Sequence, residues 1–221
     1  MNILMLRHSA GFEHTYLPDA EVVLKQIGQK NGWQVRTTHH CQRISAETLA
    51  DTDLLIFATT GNLPFEKEQK QALLEFVKGG KPFFGIHNAT DTFYDWPEYG
   101  ELIGGYFSGH PWTQEVGVIV EDSDHPATRM LGQYFKVFDE IYTFKAWDRS
   151  KTHVLMRLDN ETIDLSKGNR EDHDYALAWC HHYGEGRVMY TALGHPDSLW
   201  HEDWFQQHID GCIKWVTGLE S

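Results

Sequence analysis

The chain has 221 residues, 41% of them hydrophobic, enough to bury one full core and at most two domains. No composition shift or Pro/Ser-rich linker divides it, so residues 1–221 read as a single domain. A formal net charge of −13 sets the surface against nucleic acid and anionic membranes, which would both repel it, and leaves a small molecule or a protein partner.

The opening MNILMLRH has no basic region before its apolar run, and the run is too short for a secretory segment or a membrane span. A cytoplasmic protein is therefore expected. Its three cysteines, Cys41, Cys180 and Cys212, cannot all pair with one another, which suits a reducing compartment. Cys180 and Cys212 lie in apolar patterns and read as small core residues. Cys41, in a polar loop beside His39 and His40, reads as an ordinary surface thiol and is the one cysteine to consider for chemistry.

Residues 2–7 read as a strand that runs into His8 and a loop carrying Glu13 and His14. A helix should begin near Asp19, because Ala20, Val23, Leu24 and Ile27 share one face and Asn31-Gly32 supplies a stop. A second strand over 33–38 ends in His39-His40. Ser45 caps a short helix over 46–49, and a third strand over 53–58 ends in Thr59-Thr60-Gly61. Residues 65–78 form a helix with Phe65, Ala72, Leu73, Phe76 and Val77 as its buried stripe. This alternation predicts βαβ units and a mainly parallel sheet with helices on both faces.

The stretch 81–112 is the centre of the chain. Its apolar run 82–86 reads as a strand buried on both faces and ends on a sharp turn at His87, flanked by Gly85 and Ala89. Beyond that elbow come Asn88, Asp91, Tyr94, Trp96, Tyr99 and His110-Pro111-Trp112, groups suited to gripping a small polar molecule. A short helix is expected over 97–103, a strand over 114–120, a helical turn from Pro126 to Gly132, and two extended pieces at 134–138 and 140–144. Strands over 152–158 and 175–182 form an antiparallel pair. Between them, 159–174 is polar and aperiodic, a lid, a binding loop or a hairpin tip. A last buried strand over 187–193 ends in Gly194-His195-Pro196-Asp197, and a helix over 203–217 closes the chain.

Side by side, the predicted parallel strands end in His8, His39-His40, Thr59-Thr60, His87 and His195. Carboxyl ends of parallel strands are neighbours, so imidazoles from distant parts of the chain should meet in one crevice. Imidazole there serves as a neutral ligand for a divalent metal such as zinc, or as an acid–base group near neutrality. The carboxylates expected to complete either arrangement are Glu140 and Asp91. The competing account is a polar pocket floor whose histidines bond backbone carbonyls.

The segments Gly85-Ile86-His87, Phe107-Ser108-Gly109-His110-Pro111, Asp139-Glu140-Ile141-Tyr142, Gly186-Arg187-Val188 with Tyr190, Leu193-Gly194-His195 and Ile213-Lys214-Trp215 together resemble the ThuA-like family, named for trehalose utilisation. The resemblance spans nearly the whole chain. It implies the flavodoxin-like three-layer α/β fold of class I glutamine amidotransferases, in which the elbow holds a nucleophilic cysteine. Here His87 stands at that place. His195 and Asp197 look like the histidine and acid of that triad, yet have no thiolate to activate. The family further implies a role in trehalose, disaccharide or 3-keto-glycoside utilisation, with a metal in some members. On that view His87 and His195, with His8 or His14, hold a divalent metal, and His87, His195, Glu140 and Asp91 are catalytic. Asn88, Tyr94, Trp96, His110, Trp112 and Tyr142 then bind substrate. Isomerase, lyase and hydrolase chemistry all stay open. The alternatives are a catalytically inactive amidotransferase-like protein that binds a sugar or regulates, and a hydrolase using Cys41. The expected partner is a small sugar, with a homo-oligomer as the protein partner left open.

Overall fold

In the computed structural model, which describes residues 1–221, short apolar runs form strands that are buried wherever a helix covers each face. These are β1 (Asn2–Leu6), β3 (Leu54–Phe57) and β4 (Phe83–Ile86), with β2 (Gln34–Thr38) half exposed at the sheet edge. Five further strands, β5 (Tyr106–Val120), β6 (Tyr134–Lys145), β7 (His153–Leu158), β8 (Ala176–Tyr183) and β9 (Gly186–Thr191), complete one sheet. Its order is β2-β1-β3-β4-β9-β8-β7-β5-β6.

From β2 to β9 every pairing is parallel; from β9 to β6 every pairing is antiparallel. The expectation of a mainly parallel sheet thus holds for one half. The physical reason is the supply of crossovers. Helices α1 (Leu17–Asn31), α2 (Ala46–Ala50), α3 (Lys67–Lys78) and α4 (Pro97–Ile103) precede β5, and no α-helix follows until α5 (Asp203–Val216). Without a helix to carry the chain back, successive strands pair antiparallel.

Helix α1 starts at Leu17, earlier than Asp19, because Pro18 suits the first turn, and it ends on Gly32 at φ 72°. Helix α3 begins at Lys67 behind a capping box of Glu66 and Gln69, so Phe65 is buried ahead of it. Helix α1 packs on α5, and α3 packs on α2 and α4.

The two extended pieces at 134–138 and 140–144 are one strand, β6. Its partner β5 starts at Tyr106, well before Gln114, and accommodates Gly109 and Pro111 through register shifts between Phe107 and Trp112. The segment 159–174 is fastened along β5. Trp112 Nε1 donates to the Asp164 carbonyl (3.0 Å), Gln114 Nε2 to the Thr162 carbonyl (3.2 Å) and Asn169 Nδ2 to Ser108 Oγ (3.1 Å).

Candidate functional site

The site is built on the ends of β4 and β9, parallel neighbours. Where β4 stops, His87 turns the chain with φ 40°, a left-handed conformation that a side chain makes costly. The turn packs closely: a Cβ on Gly85 would overlap Ile103 and lie 3.1 Å from the Ala89 Cβ. His87 is fully buried, and its Nδ1 donates to the Ala192 carbonyl at 2.6 Å, which leaves the Nε2 lone pair facing inward. After β9 the chain passes Gly194 to His195, where Asp139 of β6 fixes it. The buried Asp139 carboxylate accepts the backbone N–H groups of Gly194 (2.8 Å), His195 (3.1 Å) and Glu140 (2.8 Å). Burial pushes this carboxyl up to about 7, against the opposite pull of those three donors. Asp139 so staples the end of β9 to β6 and sets His195 beside Glu140. His14 arrives on the loop after β1, which is held by Ala10 and Gly11 N–H groups on the Thr60 carbonyl.

The three imidazoles form a nearly equilateral triangle, with ring centroids 5.1 Å (His14–His87), 5.2 Å (His14–His195) and 5.2 Å (His87–His195) apart. Glu140 Oε2 lies 3.1 Å from His195 Nδ1 and 3.9 Å from His87 Nε2, and those two nitrogens are 3.3 Å apart. One ligand atom from each of His14, His87, Glu140 and His195 falls within 4.8 Å of the others. Burial, aided by the charge on His195, lowers His14 to about 4, and burial holds His87 well below the usual imidazole range. Glu140 hydrogen-bonds His195 and raises it. Burial would lift Glu140 itself, but His195, His110 and His14 outweigh that and hold its carboxyl low. The hollow therefore offers two neutral imidazoles, His14 and His87, beside an ionised carboxylate paired with His195. Ligands about 2.0–2.1 Å from a tetrahedral ion are separated by about 3.3 Å. The His195–Glu140 and His87–His195 spacings of 3.1 and 3.3 Å meet that, while the His87–Glu140 spacing of 3.9 Å and the 4.8 Å limit of the whole set are wider. The donor set is of the kind that holds a divalent cation of the zinc type.

Around this floor stand groups that a small molecule could meet. His110 Nδ1 is 3.4 Å from Glu140 Oε1, with its side chain 48% exposed. Tyr142 lies against His87 (4.1 Å between centroids), and Phe107 lies against both Tyr142 and His110 (4.3 and 5.9 Å). Phe12, 66% exposed, stands edge-on to His14 at 5.0 Å.

A model of the ThuA family, described as trehalose utilisation, matches residues 2–216. The chain belongs to the ThuA family. Among solved structures it is similar to two named ThuA-like proteins. One, from Bacteroides uniformis, has 21% identity and a TM-score of 0.82, covering 98% of this chain and 91% of that one. The other, from Parabacteroides merdae, has 18% identity and a TM-score of 0.75, covering 100% and 91%. A cytoplasmic protein from Salmonella typhimurium is similar over 97% and 98% of the two chains, with 11% identity and a TM-score of 0.62. At these identities the likeness is one of fold. No curated protein matches the sequence. No helix of this ThuA member is long and apolar enough to cross a membrane.

The ThuA fold brings together His14, His87, His195 and Glu140, with His110 and Tyr142 beside them, and leaves several expected groups elsewhere. His8 is not among the four: its Nδ1 bonds the His39 carbonyl at 2.8 Å, and His39 and His40 stay outside with it. Asn88 is fully buried with both ends of its amide engaged, so it cannot bind substrate. Trp112 lies under the 159–174 segment, and Trp96 packs between Phe93 and Tyr99 beneath Lys70; neither presents a free face. Asp91, also outside the four, accepts the Tyr94 hydroxyl, and the Tyr94 ring faces Tyr106 and Lys145. Asp197 accepts from Thr15 at 2.7 Å, and the carboxylate on His195 is Glu140, so the triad-like pairing does not form. Cys41 is buried and its thiol is pushed up to about 11, which removes it as a nucleophile. Two residues were missed. Asp139 stands in the segment Asp139-Glu140-Ile141-Tyr142 without a role of its own, since its partners are backbone groups that no motif reveals, and Phe12 is a lone aromatic in a loop with no local signal.

Proposed function

We propose that this ThuA member is an enzyme of carbohydrate utilisation acting on a keto-glycoside, at a divalent-cation site formed by His14, His87, Glu140 and His195. The observation that carries the reading is the convergence of three imidazoles and one carboxylate on the end of the sheet. A bound divalent ion supplies polarisation of a keto oxygen. The chain's own groups do the rest. His110, at the opening and next to Glu140, is placed to take the acidic proton on the carbon beside the ketone and to return one to a departing glycosidic oxygen. Taking that proton lets the electron pair form a carbon–carbon double bond as the glycosidic C–O bond breaks, an elimination in which the proton passes to the leaving alkoxide. Phe12, beside His14, and Phe107, beside Tyr142, offer apolar surface to a sugar ring.

Protein purified without added metal should carry about one divalent ion per chain. His87→Ala and His195→Ala should each lose it while keeping the far-ultraviolet dichroism of the parent. Turnover of 3-keto-trehalose should stop with chelator and return with zinc. Full metal content in both variants, or turnover indifferent to chelator, would remove the ion from the proposal.

A further inference from the structure

We infer that Tyr16 and Asn88 are positioning residues that hold His14 in the tautomer unsuited to an ion, so that ion capture requires the Asn88 amide to invert; the inference rests on the cation-site reading. Tyr16 is fully buried, and its hydroxyl has one hydrogen-bond partner, Asn88 Oδ1, at 2.7 Å. A buried hydroxyl hydrogen needs an acceptor, and only the amide oxygen can provide it. That demand turns Asn88 Nδ2 toward His14 Nδ1, 3.2 Å away. An amide NH2 only donates, so Nδ1 of His14 accepts, and the neutral ring carries its hydrogen on Nε2, the nitrogen 3.3 Å from Tyr142 Oη.

His87 shows the opposite arrangement. Its Nδ1 hydrogen is tied to a carbonyl, so its Nε2 is a lone pair. One imidazole is therefore preset to ligate, and its neighbour is preset against it. For His14 Nε2 to offer a lone pair, Nδ1 must become the donor and Asn88 must present Oδ1 to it. Nδ2 then donates to Tyr16 Oη, and the hydroxyl hydrogen is left without a partner. Tyr16 cannot turn to find one, because its ring stacks on Trp200 (5.4 Å, 3° between planes) and edges against His87 at 5.9 Å. The bias against ligation is therefore about one buried hydrogen bond.

Removing the hydroxyl removes the bias. Zinc affinity of Tyr16→Phe, measured by competition with a chromophoric chelator, should rise about tenfold over the parent. A packing defect alone would lower it. Nitrogen-15 shifts of His14 in zinc-free protein give the second readout: the Nε2–H tautomer in the parent, a mixture in Tyr16→Phe, and the Nδ1–H tautomer in Asn88→Asp, whose carboxylate can only accept. An Nδ1–H tautomer already present in the parent, or a folded Tyr16→Phe with unchanged affinity and tautomer, overturns the inference. If no variant nor the parent binds zinc, yet Asn88→Asp still switches the tautomer, the cation-site reading falls and the control of His14 by Asn88 stands.

Discussion

His87 combines two roles that pull against each other, a left-handed backbone and a large buried ring. Glycine adopts that backbone freely and alanine does not, so His87→Gly should be more stable than His87→Ala by about 1 kcal/mol in urea unfolding, although both lose the same ring. Equal stability, or the reverse order, would show that the turn is not held at positive φ. The place of this residue was legible because its cues are local: Gly79-Gly80 before the strand, Gly85 and Ala89 around the turn. Asn88, one position on, was misread because nothing local shows that Tyr16 and His14 occupy both ends of its amide. Trp96 and Trp112 failed for the same reason. An aromatic ring in a loop reads as a binding face until the element lying over it is known.

Among the elements, the parallel half followed from short apolar runs alternating with amphipathic helices, a pattern contained within each segment. The antiparallel half was legible only where alternation was clean. Residues 114–120 were recognised, while 106–113 were not, because Gly109 and Pro111 break the period at the very place where β5 bulges and carries His110 to the opening. The 159–174 segment has no periodicity because its order comes from bonds to β5. Gly168 tests that dependence. A Cβ there would overlap the Tyr175 hydroxyl and lie 3.1 Å from the Trp112 ring, so Gly168→Ala should lift the segment away. Limited proteolysis should then cut within 159–174 much faster than in the parent, while the rest of the chain resists. Unchanged cleavage would mean that the fastening is not tight.

Across the whole molecule, the crowding of imidazoles at strand ends was sound for His87 and His195 and was extended too far for His8 and His39-His40. The sequence holds fourteen histidines. Several serve the core: His181 bonds the Leu102 carbonyl, His208 the Ala127 carbonyl and Thr191, and His125 accepts the Ala127 N–H. These uses have no signature beyond the residue type. Their burial nonetheless has a collective effect. Desolvation lowers His14, His125, His181 and His208 to about 4 and holds His87 well below its usual range, whereas an unfolded imidazole titrates near 6.5. Below 6.5 the unfolded chain binds protons that the folded chain refuses, so this stability is present above 6.5 and is lost as pH falls toward 4. Asp139, raised to about 7 by burial, runs the other way, as do Asp91, raised by burial, and His195, raised by its bond to Glu140, three groups against five. Urea midpoints of metal-free protein should therefore fall steeply from pH 6.5 to 4.5, at roughly 1.4 kcal/mol per pH unit for each net proton. A flat profile would show that these rings protonate in place. The central pairing of β4 with β9 joins Phe83 to Val188 across about a hundred intervening residues. A nascent chain leaving the ribosome thus has His14 and His87 long before it has His195, and the Asp139 carboxylate lacks its Gly194 and His195 donors until β9 and the turn after it are made. The hollow can only be finished once the chain has been made through His195, and whatever occupies it must be acquired after that point.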